Sequence, residues 1–440
     1  MTLPHVDFKK IQNSTAPRIG SVQIMYEFED RGKTYLLAEA PDKGSVFDVG
    51  TIFEVPGSGR ARNTLRHRIY TRLMDARSWE KLDDAAFESC FSDRTEIERL
   101  QSSSTFSSLV NKGARTHHIG LVDRSSGNVV QGDTEVSSDL VVMEKYPVIF
   151  PKREVVAGLP VYDYSEYREA TVKLVALEHI VRRGNPGGSS LQSRYEKLAR
   201  ISQSEADAFL ATFGTQGPLE PWSLLPNLAV EWSTKFEGYD RYLSTQEALL
   251  IAGVNAATLN RVVDLLMLAT VQVNDFVSST SLELWDLKWE LAVQTDGSSE
   301  DRDIVIVDTI DHDSMRLALR LTHELIGPSI VHFNKQAVRD YYKIFHRDWW
   351  ASLDEIKELS NLPGADSFKD ILWNGIKEGR YPQPPGLEDD FADLQGRKYE
   401  LVTAGPAADP SMGQALALEE ISYYSKRGRL EEFRRFNALS

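Results

Sequence analysis

Leu284-Trp285-Asp286-Leu287-Lys288-Trp289-Glu290-Leu291-Ala292-Val293-Gln294 and, after a polar turn, Ile304-Val305-Ile306-Val307-Asp308-Thr309-Ile310-Asp311-His312-Asp313-Ser314-Met315-Arg316 make up the stretch that decides the fold. Apolar residues alternate over Leu284–Val293 and Ile304–Ile310, on either side of a polar loop at 295–301 that contains Gly297. Period two around such a loop predicts a β-hairpin. Successive strand side chains point to opposite faces, so Asp286, Lys288 and Glu290 share one face and Leu287, Trp289 and Leu291 the other. The apolar set reads as core. A row of acid, base and acid is costly to bury unless the charges serve one another or a ligand. The second strand ends in Asp308, and Asp311, Asp313 and Arg316 follow. Two carboxylates from adjacent strands beside a lysine suit a magnesium nucleotide, with hard oxygen ligands for Mg2+ and an ammonium for phosphate oxygens. The alternative is a solvated face with surface ion pairs.

Composition narrows the classes. The 440 residues leave room for two or three domains, and 41% hydrophobic residues suffice for a sizeable core. Fifty basic residues against 65 acidic ones give a formal net charge of −15, which argues against a non-specific binder of nucleic acid or of anionic membrane. A local basic pocket for a phosphorylated substrate remains compatible with that balance. The single cysteine, Cys90, excludes an internal disulfide and a multi-cysteine metal site, and fits a reducing compartment. Met1 to His5 shows no apolar signal core and no apolar run approaches 18 residues, so a cytoplasmic setting is expected.

The remaining chain supplies further candidates. Residues 21–29 and 34–38 alternate as strands, and Pro56-Gly57-Ser58-Gly59 reads as a turn entering a helix from Asn63 to Asp75. Helical segments at 64–75 and 84–100 lead to a serine-rich connector at 101–108, and Asp139 to Phe150 is strand-like. His117 and His118 are adjacent on a strand and so face opposite ways, which argues against a shared metal. An apolar strand around Leu177–Val181 delivers Arg182, and Gly187-Gly188-Ser189-Ser190 follows. A guanidinium forks a phosphate or carboxylate, and free backbone N–H groups and hydroxyls of such a loop cradle the same anion. The alternative is an ordinary Gly/Pro loop. Ser244-Thr245-Gln246-Glu247 has the form of a capping box, and Asn255 to Val277 shows the spacing of a core helix. Lys335 and Arg339 lie four apart at the start of another helix, placed to grip one phosphate or to form a solvated cationic face. A Pro-rich link at 381–386 and an acidic run at 388–390 precede a helix expected from about Met412 to Phe436.

Together these motifs resemble the SAICAR synthetase (phosphoribosylaminoimidazole-succinocarboxamide synthase) family. That family shows Asp-x-Lys-x-Glu on one strand, complete here at Asp286, Lys288 and Glu290. It then shows Asp-Glu and Pro-Asp-Ser-x-Arg; here Asp308, Asp313, Ser314 and Arg316 are kept, while Thr309 and His312 depart. Its opening strands, Ser-Ala-Phe-Asp and Pro-Gly-Lys-Gly, are matched by Gly20, Tyr26, Ser45, Phe47, Asp48, Pro56, Gly57, Gly59 and Asn63. Ser21, Gln23 and Ser58 stand where the family has lysine, arginine and lysine, leaving Arg60, Arg62 or Lys43 to supply the missing charge. The resemblance runs from about Gly20 to Tyr341, with insertions near 64–140 and 150–176, and fades after about Asp354.

The resemblance implies an α+β fold of two nucleotide-embracing subdomains with a helical C-terminal part. The expected division is 1–145 for a β-rich subdomain with a helical insertion, 146–345 for the central subdomain and 346–440 for the extension. That extension has three open roles: packing on the core, forming an interface, or covering the site. The implied reaction is ATP-dependent amide formation through an acyl phosphate, with ATP and Mg2+ as cofactors. Glu290 and Asp308 would hold the metal, and Lys288 the triphosphate. Ser45, Asp48, Arg182, Ser189, Lys235, Arg316, Lys335 and Arg339 would bind the substrate, and Lys288, Asp313 and Arg316 would act in catalysis. The expected partners are a carboxylate-bearing nucleotide and an amine or amino acid, with homo-oligomer formation left open. The departures suggest a diverged paralogue. The standard purine step and a catalytically silent, nucleotide-binding or scaffold homologue are the alternatives.

Overall fold

The computed structural model describes residues 3–20, 22–47, 49–238, 240–294, 303–360 and 366–439. A six-stranded antiparallel sheet carries the N-terminal part. Its strands are β1 (Arg18–Ile19), β2 (Ile24–Asp30), β3 (Lys33–Glu39), β6 (His118–Val122), β7 (Val129–Val130) and β8 (Leu140–Glu144), in the order β1-β2-β3-β8-β6-β7. The short ribbon β4 (Lys43–Ser45) and β5 (Thr51–Glu54) precedes the helix Ser58–Met74.

The hairpin at 284–310 is the centre of a second, eight-stranded sheet. There β15 (Glu283–Gln294) pairs with β16 (Asp303–Val307) along its second half and with β17 (Met315–His323) along its first. Its other edge meets β12 (Leu177–Asn185) and β11 (Val172–Leu174). Outward from there lie β13 (Ser223–Thr234), β14 (Tyr242–Leu243) and, beyond β17, β18 (Gly327–His332). As the alternation predicts, Leu287, Trp289 and Leu291 are fully buried. They face the helix Ala256–Ser278, whose Thr270 hydroxyl accepts the Trp289 indole N–H at 3.0 Å. That helix is apolar and long enough to cross a membrane by composition, but most of its residues lie inside the core.

The C-terminal extension packs on the core. The helix Asp389–Ala404 lies along Ser58–Met74, where Thr403 Oγ1 donates to Ala61 O at 3.0 Å and Arg68 donates to Thr403 O at 2.7 Å. Lys398 is wholly buried between Glu420 and the His332 carbonyl.

Several local expectations need correction. The serine-rich connector is a helix, Ser104–Lys112, because the Ser103 hydroxyl caps it by accepting from Phe106 N. The expected 84–100 helix is two pieces, Asp84–Glu88 and Arg94–Gln101, the second started by the Asp93 cap. The final helix breaks into Pro410–Lys426 and Leu430–Asn437, with Gly428 at φ 67° in between. The strand expected at 139–150 ends at Glu144, and residues 152–163 form a separate ribbon, β9 (Lys152–Val156) with β10 (Leu159–Asp163). The helix after Ser244 starts with both reciprocal bonds of its capping box.

Candidate active site

Cross-strand register assembles the polar face of β15. Asp286 stands opposite Arg182 of β12 on one side and Arg316 of β17 on the other. Two residues along, Lys288 reaches Glu178 of β12 at 2.8 Å and Glu290 at 3.6 Å. Glu290 is only 5% exposed and receives Lys235 at 2.5 Å. Burial pushes the Glu290 carboxyl up, and nearby Asp308 pushes it further against the pull of Lys235 and Lys288. Burial alone would lower the Lys288 ammonium, yet Glu178 and Glu290 outweigh it and hold it above its ordinary value.

Asp308 follows the last residue of β16 with a left-handed backbone, φ 66°. Beyond it a tight turn forms: Asp313 N donates to Asp311 Oδ1 at 2.8 Å, and Asp311 N donates to Ser314 Oγ at 2.8 Å. Lys288 N donates to Ser314 O at 2.9 Å, which fastens the turn to the polar strand. Asp313 accepts from Arg62 Nη1 at 3.3 Å, and Arg62 also donates to the carbonyls of Pro41 and Lys43. Burial would raise the Asp313 carboxyl, but Lys335 and Arg62 overcome it and hold it low. The neighbouring Asp311 is raised instead, by burial and by Asp313.

At the other end of the face, Arg182 is 1% exposed and meets Glu231, Asp286 at 3.3 Å, Ser190 Oγ at 2.9 Å and Tyr242 at 3.2 Å. Ser189 departs from expectation. Its hydroxyl donates to Asn185 Oδ1 at 2.8 Å and caps the helix Ser190–Ile201, so the hydroxyl beside Arg182 is that of Ser190. The cap preference of serine explains the exchange. Arg316 Nη1 lies 3.4 Å from Asp286, buried and with no hydrogen-bond partner. Asn334 caps the helix Lys335–Phe345 and donates to Met315 O at 2.8 Å, placing Lys335 and Arg339 beside the start of β17. Ser45 ends β4, two residues beyond Lys43, whose carbonyl accepts from Arg62. Asp48, like Ser21, lies outside the described residues.

The turn Pro56–Gly59 is closed from within. Gly57 N and Gly59 N donate to the Asp42 carboxylate at 2.9 and 2.8 Å, and Ser58 is buried at the helix start. Glu178 escaped the sequence reading, although Glu178 and Arg182 stand four apart on one strand and therefore share its face. Arg62 was only one of three substitutes for the missing charge; nothing in the sequence marks its tie to Asp313, 251 residues away.

No group of three or more His, Cys, Asp or Glu side chains suited to a metal occurs among the described residues. The buried Glu290 carboxylate with half-buried Asp308 near it still fits Mg2+, which keeps several waters and takes its other oxygens from phosphates. The orphaned Arg316 N–H fits an anionic oxygen in the same way.

The chain matches the family described as SAICAR synthetase over residues 18–356. A protein of Archaeoglobus fulgidus, provisionally named phosphoribosylaminoimidazole-succinocarboxamide synthase, is 28% identical over 347 residues, 76% of this chain and 89% of the relative. SAICAR synthase from Saccharomyces cerevisiae complexed with SAICAR aligns over 93% of this chain and 99% of its own, at 16% identity and TM-score 0.48. A SAICAR synthetase (Type-2) in complex with ADP aligns over 84% of this chain and 100% of its own, at 15% identity and TM-score 0.42. The chain belongs to the SAICAR synthetase family, whose members are ATP-dependent ligases that form carbon–nitrogen bonds.

Proposed function

We propose that the protein uses ATP to activate the carboxylate of a heteroaromatic nucleotide and joins it to an amine such as an amino acid, as a diverged SAICAR synthetase. The observation that carries this reading is the pairing of buried Glu290 with Asp308, flanked by Lys235 and Lys288 on one sheet face. In the first step the γ-phosphoryl group moves to a substrate carboxylate oxygen, giving an acyl phosphate and ADP. In the second the amine nitrogen attacks the acyl carbon, phosphate departs, and the amine loses a proton.

Glu290 and Asp308 would hold Mg2+, which neutralises charge on the phosphates during transfer. Lys288 reaches phosphate oxygens from the same strand. Lys235, 2.5 Å from Glu290, balances that carboxylate's charge and would lie beside the phosphates of a bound nucleotide. Arg182, Arg316, Lys335 and Arg339 line the opposite end for the substrate's anionic groups, and Asp313 holds the cations Arg62 and Lys335 in register. Such a site works by positioning and electrostatics and needs no covalent enzyme group.

Two departures from the family pattern follow from packing. Ser58 is buried in the closed glycine turn, and His312 stacks on Tyr399 at 4.2 Å while its Nε2–H donates to Tyr399 O at 2.9 Å. Gln23 and Thr309 have no such explanation and support an altered substrate. The test is to incubate enzyme, Mg-ATP and the carboxyaminoimidazole nucleotide with a panel of amines and weigh the products. An amide with an amine other than aspartate supports divergence. A single succinocarboxamide at full turnover assigns the standard purine step instead, and no ADP release with any pair leaves nucleotide binding alone.

A further inference from the structure

We infer that Tyr70 and His117 are positioning residues that hold Asp308 in the backbone conformation needed for metal binding. The inference rests on the reading of Asp308 as a ligand to the nucleotide-bound cation. A left-handed backbone is disfavoured for a residue with a Cβ and persists only where the surroundings over-determine it. At Asp308, φ 66°, the surroundings do so. The Tyr70 hydroxyl lies 2.9 Å from Asp308 O and 3.0 Å from Val307 O, spanning the two carbonyls at the end of β16. His117 Nε2 lies 3.1 Å from the same Asp308 O. A carbonyl only accepts, so Nε2 carries the proton and the imidazole tautomer is set by this bond.

Both donors are themselves immobilised. Tyr70 is fully buried, stacked on His118 at 5.4 Å and edge-on to His117 at 5.7 Å. His118 Nε2 lies 2.8 Å from His67 Nδ1, on the same helix as Tyr70. The His117 backbone runs between the two sheets: its N–H donates to Ile306 O at 3.0 Å and its carbonyl accepts from Glu144 N at 2.7 Å. The strand that ends in a metal ligand is thus clamped by the first sheet and by the helix Ser58–Met74. Without the two donors, Asp308 relaxes to an extended backbone and its carboxylate swings away from Glu290.

The experiment measures Mn2+ binding, as a probe for Mg2+, by electron paramagnetic resonance at saturating ADP, together with the Mg2+ dependence of turnover. Tyr70→Phe removes one oxygen, His117→Leu removes the ring donor, and His117→Gln retains an N–H at similar reach. Tyr70→Phe and His117→Leu are expected to weaken Mn2+ about tenfold, with kcat at saturating Mg2+ within about twofold and His117→Gln within about threefold of wild type. A purely structural role would lower the melting temperature and leave the metal constant unchanged. Asp308→Asn separates the two claims. If it shifts the Mn2+ constant while Tyr70→Phe and His117→Leu do not, this inference is overturned and the metal-ligand reading stands. If Asp308→Asn leaves the constant unchanged, both are overturned. Should one donor variant fail to fold, the other decides.

Discussion

The glycine turn at Pro56–Gly59 and the polar face of β15 both carry the groups with which proteins hold phosphate, and they end in opposite states. In the turn, the Asp42 carboxylate accepts the N–H groups of Gly57 and Gly59, and the helix start is satisfied within the chain. On the β15 face, burial raises the Glu290 carboxyl and Asp308, just past β16, raises it further, even with Lys235 and Lys288 beside it. The first region has closed its own circuit. The second retains a demand for a cation and, at Arg316, for an anion. A phosphate site is recognised by donors and carboxylates left in need of partners, whatever the local glycine content.

The comparison breaks most sharply on substitution of the β15 face. Lys288→Ala and Glu290→Gln are expected to cut kcat/KM by about three orders of magnitude, roughly 4 kcal/mol, with the fold intact by circular dichroism. Equal activity in either variant would move the nucleotide elsewhere. Next in size is Arg316→Ala. Loss of a partly buried guanidinium fork should raise KM for the carboxylate substrate about 10- to 100-fold while KM for ATP stays within about twofold. A rise in both constants would place Arg316 on the triphosphate.

The glycine turn supplies the contrasting prediction. Asp42→Ala should lower folding stability by about 1–2 kcal/mol in a denaturant titration and leave the ATP constant nearly unchanged. A large loss of ATP affinity would show that the turn serves the ligand after all. The smallest effect concerns pH. Burial lowers His332 to about 3 and His179 to about 4, so the unfolded chain takes up these protons first as pH falls. Their stabilising contribution is complete above about pH 6.5 and is lost as pH drops toward the folded values, at about 1.4 kcal/mol per pH unit for each imidazole. Asp340, raised to about 6 by burial, acts in the opposite sense between about pH 4 and 6. Urea midpoints should therefore fall below pH 6.5, and fall more steeply in Asp340→Asn.

Much of this was legible because it is local or periodic. The alternation of Leu287, Trp289 and Leu291 against Asp286, Lys288 and Glu290 gave the central strand and its two faces. Ser244 with Glu247 gave a helix start, and the spacing of 255–277 gave the core helix. The serine run at 102–108 misled because serine serves both loops and helix caps, and only Ser103 shows which role prevails. The same ambiguity moved the predicted hydroxyl from Ser189 to Ser190. Contacts remote in sequence were out of reach: Asp42 on the glycine turn, Arg62 on Asp313, Tyr70 and His117 on Asp308, and Tyr399 on His312. Each depends on how two sheets and the C-terminal helices dock, which no local pattern encodes.

Calorimetric titration of Mg-ATP into the wild-type protein and into Lys288→Ala tests the central claim most directly. The account predicts a dissociation constant on the order of 1–100 μM for the wild type and at least about 100-fold weaker binding in the variant. Equal affinity in the two proteins, or no heat at millimolar Mg-ATP in the wild type, would contradict the assignment of the nucleotide to the β15–β16 hairpin.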